Sequence, residues 1–281
     1  MQAGAWLRRT LIRFYYACVR IFCPGLKNSQ FAYRESLTAL VKPGTRWLDL
    51  GCGHQFFPDW MSDSLRIQQD LVNASDSVIG VDAFDPRPHS CGIRKIIANI
   101  ERLPFSDNSF SLVTANMVVE HVEDPESLFR EVYRVLAPGG CFLFHTPNAR
   151  YFEVAIARRL PSGLLKLIAG LLDGRHSDDI FPTFYRMNRD HDIRKLSGSS
   201  GLDVRSLRHV ECTAQGVMLG PLVILELMVI RLLRLRTLER FRSDLVVLLT
   251  KPIPMATRIT PCSDADEKAR QLSPTAADVL C

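Results

Sequence analysis

Leu48-Asp49-Leu50-Gly51-Cys52-Gly53, preceded by Arg46-Trp47, is the stretch on which the fold turns. An apolar run with one acid, passing into two glycines a residue apart, reads as a strand entering a tight turn before a helix. Gly51 and Gly53 carry no Cβ, so the backbone can take positive φ and a ligand can come close. N–H groups that follow such a turn at a helix start face a carboxylate or phosphate. Asp49, on the strand, can take an amine or hydrogen-bond the turn. The helix after the turn is expected over residues 58–71.

Some thirty residues on, Ser77-Val78-Ile79-Gly80-Val81-Asp82 reads as a second strand ending in an acid. In nucleoside-binding α/β units an acid at that place accepts hydrogen bonds from ribose hydroxyls. Further strands are expected at 94–98, 111–116, 141–146, 203–210 and 244–249, and a helix over Ser127–Leu136 is stopped by Pro138-Gly139-Gly140. Strands alternating with helices make a parallel, doubly wound sheet. Such a sheet binds ligands at the carboxyl ends of its strands. Asp49, Gly51, Asp82, Asn99 and Asn116 all map to that edge.

Three further segments complete the pattern: Asn99-Ile100-Glu101-Arg102-Leu103-Pro104-Phe105, then Val119-Glu120-His121-Val122, then Phe144-His145-Thr146-Pro147-Asn148. In this order the chain resembles the class I S-adenosylmethionine-dependent methyltransferases, nearest the small-molecule, type 11-like branch that includes quinone-biosynthesis enzymes. The resemblance is good over roughly residues 44–150 and looser to about 250. It implies a Rossmann-like, mostly parallel seven-stranded sheet with an antiparallel last strand. It implies S-adenosyl-L-methionine as cofactor and a small-molecule acceptor, and the long insert and apolar helix further along the chain suggest that this acceptor is hydrophobic or lipid-like. It places Asp49 near the methionine amine and the Gly51-Cys52-Gly53 backbone around the carboxylate end. Asp82 would hold the ribose, the backbone at Asn99-Ile100 would meet the adenine, Ile100 or Ala83 would cover its face, and Asn116 would line the sulfonium end. Two departures stand out: His54-Gln55 where the pattern often has another glycine, and Asn99 where an acid is common.

Methyl transfer from a sulfonium is an in-line displacement, which needs alignment and exclusion of water more than acid–base chemistry. An alcohol acceptor would still need a base. The candidates are His121 and His145, which follow the fourth strand and end the fifth, with His176 and His191 further on. In the family the His121 position also serves to orient a loop. His176 and Tyr185, on a long insert, are candidates to touch substrate; Glu120 and Glu123 read as solvated or capping. Cys52 has no neighbouring base to activate it.

Composition narrows the class. The 281 residues, 47% hydrophobic, suffice for one large domain. Eight scattered cysteines without CxxC or metal-ligand spacing fit reduced thiols in a cytoplasmic protein, with no metal site. A net charge of +5 is too modest to argue for nucleic acid, and base-methylating signatures are missing, so no nucleic-acid partner is expected. The oligomeric state is not readable from the sequence.

The charge is unevenly placed. Arg8, Arg9, Arg13, Arg20, Lys27 and Arg34 all precede the first acid, Glu35. Residues 5–22 read as a basic amphipathic helix, with Leu7, Leu11, Phe14, Cys18 and Ile21 opposite the arginines. Such a helix either lies on an anionic membrane surface or closes over the cofactor cleft. Val217–Ile230 is a second apolar helix, with Pro221 at its start and five arginines after it. It contacts a membrane, forms a hydrophobic substrate tunnel, or packs on its own domain or a dimer partner. No uninterrupted apolar run of about twenty residues is present, so a spanning helix is not expected. The organisation is then residues 1–40 as an N-terminal helix or lid, and 41–251 as the catalytic domain with inserts at 149–192 and 213–242. Residues 252–281 form a disordered tail. The competing function is a catalytically inactive protein of the same fold, serving as a binding scaffold at a membrane surface.

Overall fold

The computed structural model describes residues 2–84, 87–157, 159, 182–214 and 216–254. In chain order the elements are α1 (Gln2–Phe22), α2 (Ser29–Leu40), β1 (Arg46–Leu50), α3 (Ser64–Ala74), β2 (Ser77–Asp82), β3 (Arg94–Ile97) and β4 (Phe110–Asn116). There follow α4 (Pro125–Val135), β5 (Leu136–Pro147), α5 (Phe152–Ala157), α6 (Asp190–Ser200), β6 (Asp203–Val210), α7 (Val223–Leu233) and β7 (Asp244–Thr250). Single 3-10 turns stand at Val119–His121, Gly216–Leu222 and Arg236–Phe241.

The strands form one sheet in the order β3-β2-β1-β4-β5-β7-β6. β1 to β5 pair in parallel, and β7 runs antiparallel to β5 and to β6. This is the doubly wound sheet that the strand–helix alternation predicts, with the antiparallel last strand that the resemblance implies. The switch in strand order lies between β1 and β4, so the crevice opens where those two strands end.

Side chains alternate across each strand, and both faces are buried. Leu48, Leu50, Val113, Ala115, Phe142 and Phe144 face α4 and α6. Trp47, Leu112, Leu143 and Val246 face α2 and α3, where Tyr33, Leu37 and Leu71 meet them. The period of two also decides the chemistry. Asp49, Thr114 and Asn116 share the α2 face with Trp47 and Leu112, and His145 and Asp244 share it with Leu143 and Val246. A polar row therefore crosses four strands beneath α2.

Three local expectations change. The helix after the glycine turn begins at Ser64, not residue 58, so residues 51–63 are irregular and no helix start faces Gly51 or Gly53. Asp63, the residue before it, holds a left-handed φ of 57° and makes no side-chain cap. Pro138-Gly139-Gly140 does not sit in a gap between helix and strand. α4 passes directly into β5, and Gly139 and Gly140 pair with Lys251 through backbone hydrogen bonds. The second apolar helix begins at Val223, and the 3-10 segment before it, Gly216–Leu222, is broken by a bend at Gly220 (φ 60°, ψ −126°). His176, most of the 149–192 insert and residues 255–281 lie outside the described residues.

Candidate functional site

At the end of β1 the chain turns through Gly51 (φ 62°) and Gly53 (φ 50°), conformations natural to glycine. Gly51 has a second reason to lack a side chain, since a Cβ there would stand 2.4 Å from Val118 Cγ2, on the loop after β4. The Gly53 N–H donates to Asp82 Oδ2 at 2.9 Å, and the Phe84 N–H donates to Asp82 Oδ1 at 2.9 Å. The acid at the end of β2 is thus anchored to the glycine turn. Lys95 on β3 donates to the Gly53 carbonyl at 2.6 Å and to the Arg87 carbonyl at 3.1 Å, which closes the turn from the other side.

Cys52 points inward. Its N–H continues the sheet onto Val81, and its thiol fills the space beside Gly80, where a Cβ would approach Sγ to 2.5 Å. Burial pushes that thiol up to about 12, so it is no nucleophile. Ala83 and Asn99 are exposed at the same edge, and Ile100 is half-buried against the core. The Asn99 side chain accepts from the Glu101 N–H at 2.8 Å and so shapes its own turn. Two large apolar side chains, Phe84 and Met117, remain exposed along this edge. A carboxylate held at fixed geometry beside uncovered apolar surface suits a nucleoside, with hydroxyls on one side and a ring face on the other.

Asp49 lies deeper. Trp47 Nε1 donates to Thr114 Oγ1 at 2.6 Å, and that hydroxyl donates in turn to Asp49 Oδ1. Burial raises the Asp49 carboxyl to about 7, against the Thr114 hydrogen bond, and the charge of Asp82 adds to the rise. The Tyr33 phenol is raised as well, first by burial and then by the Asp49 charge.

Asn116 is held on every side. Its Nδ2 donates to the Phe56 carbonyl at 3.1 Å and to Gln30 Oε1 at 2.9 Å, while Gln30 Nε2 donates back to Asn116 Oδ1 at 3.2 Å. A carbonyl only accepts, so Phe56 fixes which way the amide points. Oδ1 then faces His145 Nδ1 at 2.9 Å, which makes Nδ1 the protonated nitrogen. His145 Nε2 has no hydrogen-bond partner and lies 3.9 Å from Asp244 Oδ2. The ring is fully buried and stacks on Tyr33, with centroids 5.8 Å apart. His145 reaches no substrate while α2 lies in this position.

His121 is placed differently. Its Nδ1 meets the Pro182 carbonyl at 2.7 Å and must donate, and its Nε2 stands 4.0 Å from Glu120 Oε1. The Phe184 and Tyr185 N–H groups both donate to the Glu120 carbonyl, with Tyr185 at a left-handed φ of 51°. Glu120 and His121 thus tie the end of the insert to the loop after β4. His191 lies on the surface of α6, paired with Asp192 at 3.5 Å and away from this cluster.

Glu120 corrects the sequence reading. It is buried, not solvated, and its Oε2 accepts from Thr146 Oγ1 at 3.0 Å, while Asn188 Nδ2 donates to the same hydroxyl at 2.6 Å. Burial raises this carboxyl to about 7. Sequence reasoning also missed Gln30, Tyr33, Thr114, Asn188 and Asp244. Thr114 and Asp244 were within reach, because strand alternation puts both on the face of Asp49. Among the described residues no group of acids, histidines and cysteines could hold a metal ion. A groove of about 1350 Å³ is lined by α2, α3 and β6 and does not include Asp49, Asp82 or Asn116.

A family described as "Methyltransferase domain" matches residues 48–144, from the middle of β1 to the end of β5. A ubiquinone/menaquinone biosynthesis C-methyltransferase of Stenotrophomonas maltophilia is 37% identical over 107 residues, covering 37% of this chain and 42% of its own. A malonyl-acyl-carrier-protein O-methyltransferase of Erwinia billingiae is 35% identical over 111 residues, covering 40% and 42%. The chain thus spans about two fifths of the length of these relatives.

Proposed function

We propose that this chain, whose residues 48–144 match a methyltransferase domain, is a class I enzyme that moves a methyl group from S-adenosyl-L-methionine to a small, hydrophobic or lipid-like acceptor. The observation that carries this reading is the bond from the Gly53 N–H to Asp82. It joins the glycine turn and the second-strand acid into one receptor beside exposed Phe84 and Met117. Of the relatives named above, one is a C-methyltransferase of ubiquinone/menaquinone biosynthesis and the other an O-methyltransferase of malonyl-acyl-carrier protein. Carbon and oxygen acceptors are therefore both within the fold's reach.

When bound, S-adenosylmethionine supplies an electrophilic methyl on a positively charged sulfur. The chain's part is to bind and orient. Asp82 takes the ribose hydroxyls, the Gly51–Gly53 backbone meets the amino-acid end, and Asp49, ionised above pH of about 7, attracts the amine. Asn116, locked by Gln30 and Phe56, fixes the wall where the acceptor approaches. His121 is the histidine nearest solvent in this cluster and is the base we assign to an acceptor that needs one; His145 is sealed.

Calorimetric titration with S-adenosylmethionine and S-adenosylhomocysteine tests the reading. Micromolar binding is expected, and Asp82→Ala should weaken it by roughly ten- to a hundredfold with the fold intact, the value of a hydrogen bond to a charged group. An unchanged Kd in folded D82A would remove the ribose assignment. One observation favours the second reading, a scaffold without turnover: the Gln30–Asn116 amide pair closes the end of β4. Incubation with methyl-labelled cofactor and quinone or lipid extracts separates the two. Cofactor binding with no labelled product would favour the scaffold.

A further inference from the structure

α1, the 3-10 turn at Gly216–Leu222 and α7 form a unit apart from both sheet faces. Tyr15, Cys18 and Cys23 pack against Ala214, Val223, Leu227 and Ile230. Three bonds set the two helices side by side: Cys23 Sγ donates to the Leu227 carbonyl, and Arg231 and Arg234 donate to the carbonyls of Phe22 and Pro24. α1 is therefore not a lid over the cofactor edge; that place belongs to α2. The apolar arc of α1 is also wider than its seat on α7. Trp6, at 69% exposure, with Phe14 and Ile21, stands uncovered on it. α7 turns Leu225, Met228 and Leu232 outward in the same way. More than half of the large exposed apolar side chains of the described residues lie on these helices and the turns flanking α7.

We propose that the paired outer faces of α1 and α7 dock on an anionic lipid bilayer. Charge decides among the occupants. Arg8, Arg9, Arg13 and Arg20 are exposed along α1, which has no acid, and Arg231, Arg236 and Arg240 are exposed on α7 and just after it. Glu226, the acid of α7, is turned inward onto the Gly216 N–H at 2.9 Å. A second copy of this surface would set arginine against arginine. A bilayer with anionic headgroups satisfies the arginines and takes up the apolar stripe together, and Trp6 suits the interfacial layer.

The surface lies on the bilayer and does not cross it. Residues 216–233 are long and apolar enough for a span by composition, with mean hydropathy 2.1. The bend at Gly220 splits them, however, and the eleven helical residues of α7 reach only about 16 Å, against about 30 Å of hydrocarbon. The unit also connects to the strand-end site. Asn28, which caps α2, donates to Thr213 Oγ1 at 3.0 Å, and two residues on Gln30 holds Asn116. Docking would bring α2 and the strand ends to the surface from which a lipid-soluble acceptor arrives.

The test is co-sedimentation of the full chain with phosphatidylcholine vesicles with and without phosphatidylserine. Binding should require phosphatidylserine and weaken with added salt. A triple variant, R9E with R13E and R20E, should partition at least about a hundredfold more weakly, since loss of each arginine near an anionic surface costs roughly fivefold and each glutamate adds repulsion. L225S with M228S should also lose binding, with far-UV circular dichroism and S-adenosylmethionine affinity unchanged. No binding of the wild-type chain to anionic vesicles would overturn the proposal, as would undiminished binding of both folded variants. So would a dimer in sedimentation velocity that L225S with M228S abolishes, which would assign the face to a second copy. None of these readouts uses methyl transfer, so the docking surface can fail while the enzymatic reading stands.

Discussion

Asp49 shows how one residue sets function against stability. A carboxyl whose ordinary value is near 3.8 is held at about 7 by burial. Between those values the folded chain keeps a proton that the unfolded chain has released. Stability therefore falls as pH rises through this window and levels off above about 7. Glu120 acts with the same sign, from 4.5 to about 7. His89 opposes them. Burial, with the Lys95 charge second, lowers it from 6.5 to about 4, so the folded chain binds fewer protons there and gains stability as pH rises. Two carboxyls against one imidazole leave a net decline between pH of about 5 and 7. Asp49→Asn should flatten this decline and melt above wild type at pH 8, with up to about 4 kcal/mol at stake from a shift of about three pH units. Thermal melts of both proteins across this range check it; parallel curves would show that Asp49 ionises without cost. The same variant should bind S-adenosylmethionine more weakly, because the amine loses its counter-charge. That trade is expected where a site keeps a destabilising group.

Among the elements, α2 shapes the site most and announces itself least. Gln30→Ala would strip the Asn116 amide of two partners at once. A loss of about 1–3 kcal/mol should follow, seen as a lower Tm and faster hydrogen exchange along Ser29–Leu40, with β1 amides unaffected. Equal acceleration in β1 would mean that the amide pair supports the whole sheet. The strands were open to sequence reading because their apolar runs, ending in Asp49, Asp82 and Asn116, encode both the pleat and the edge at once. Gln30 and Tyr33 were hidden because what they touch depends on how α2 docks, which no local period records. Glu120 misled for a similar reason. Beside His121, Glu123 and Asp124 it looks solvated, yet a 3-10 turn rolls it inward onto Thr146. The helix expected at residue 58 begins only at Ser64, because residues 51–63 run as irregular turns that no apolar period marks.

For the molecule as a whole, three clusters imply two levels of stability. The clusters on the two faces share every central strand, so β1, β4 and β5 open only when both are lost. The α1–α7 cluster is smaller, and its outer faces are in water. Local opening takes place where buried apolar contact is thin. The amides of Gln2–Phe22 and Val223–Leu233 should therefore exchange together and sooner than those of β1, β4 and β5. Anionic vesicles should then slow exchange in the two helices and leave the strands unchanged, because a ligand protects the elements it holds. Equal protection of α1 and β4 without vesicles would show that the chain unfolds as one unit, with the outer helices no less secure than the sheet. Separate rates for α1 and α7 would show that the pairing through Cys23, Arg231 and Arg234 does not bind them into one element. Joint exchange would mean that the helices carrying the lipid-facing side chains can rearrange without disturbing the strands that hold Asp49 and Asp82.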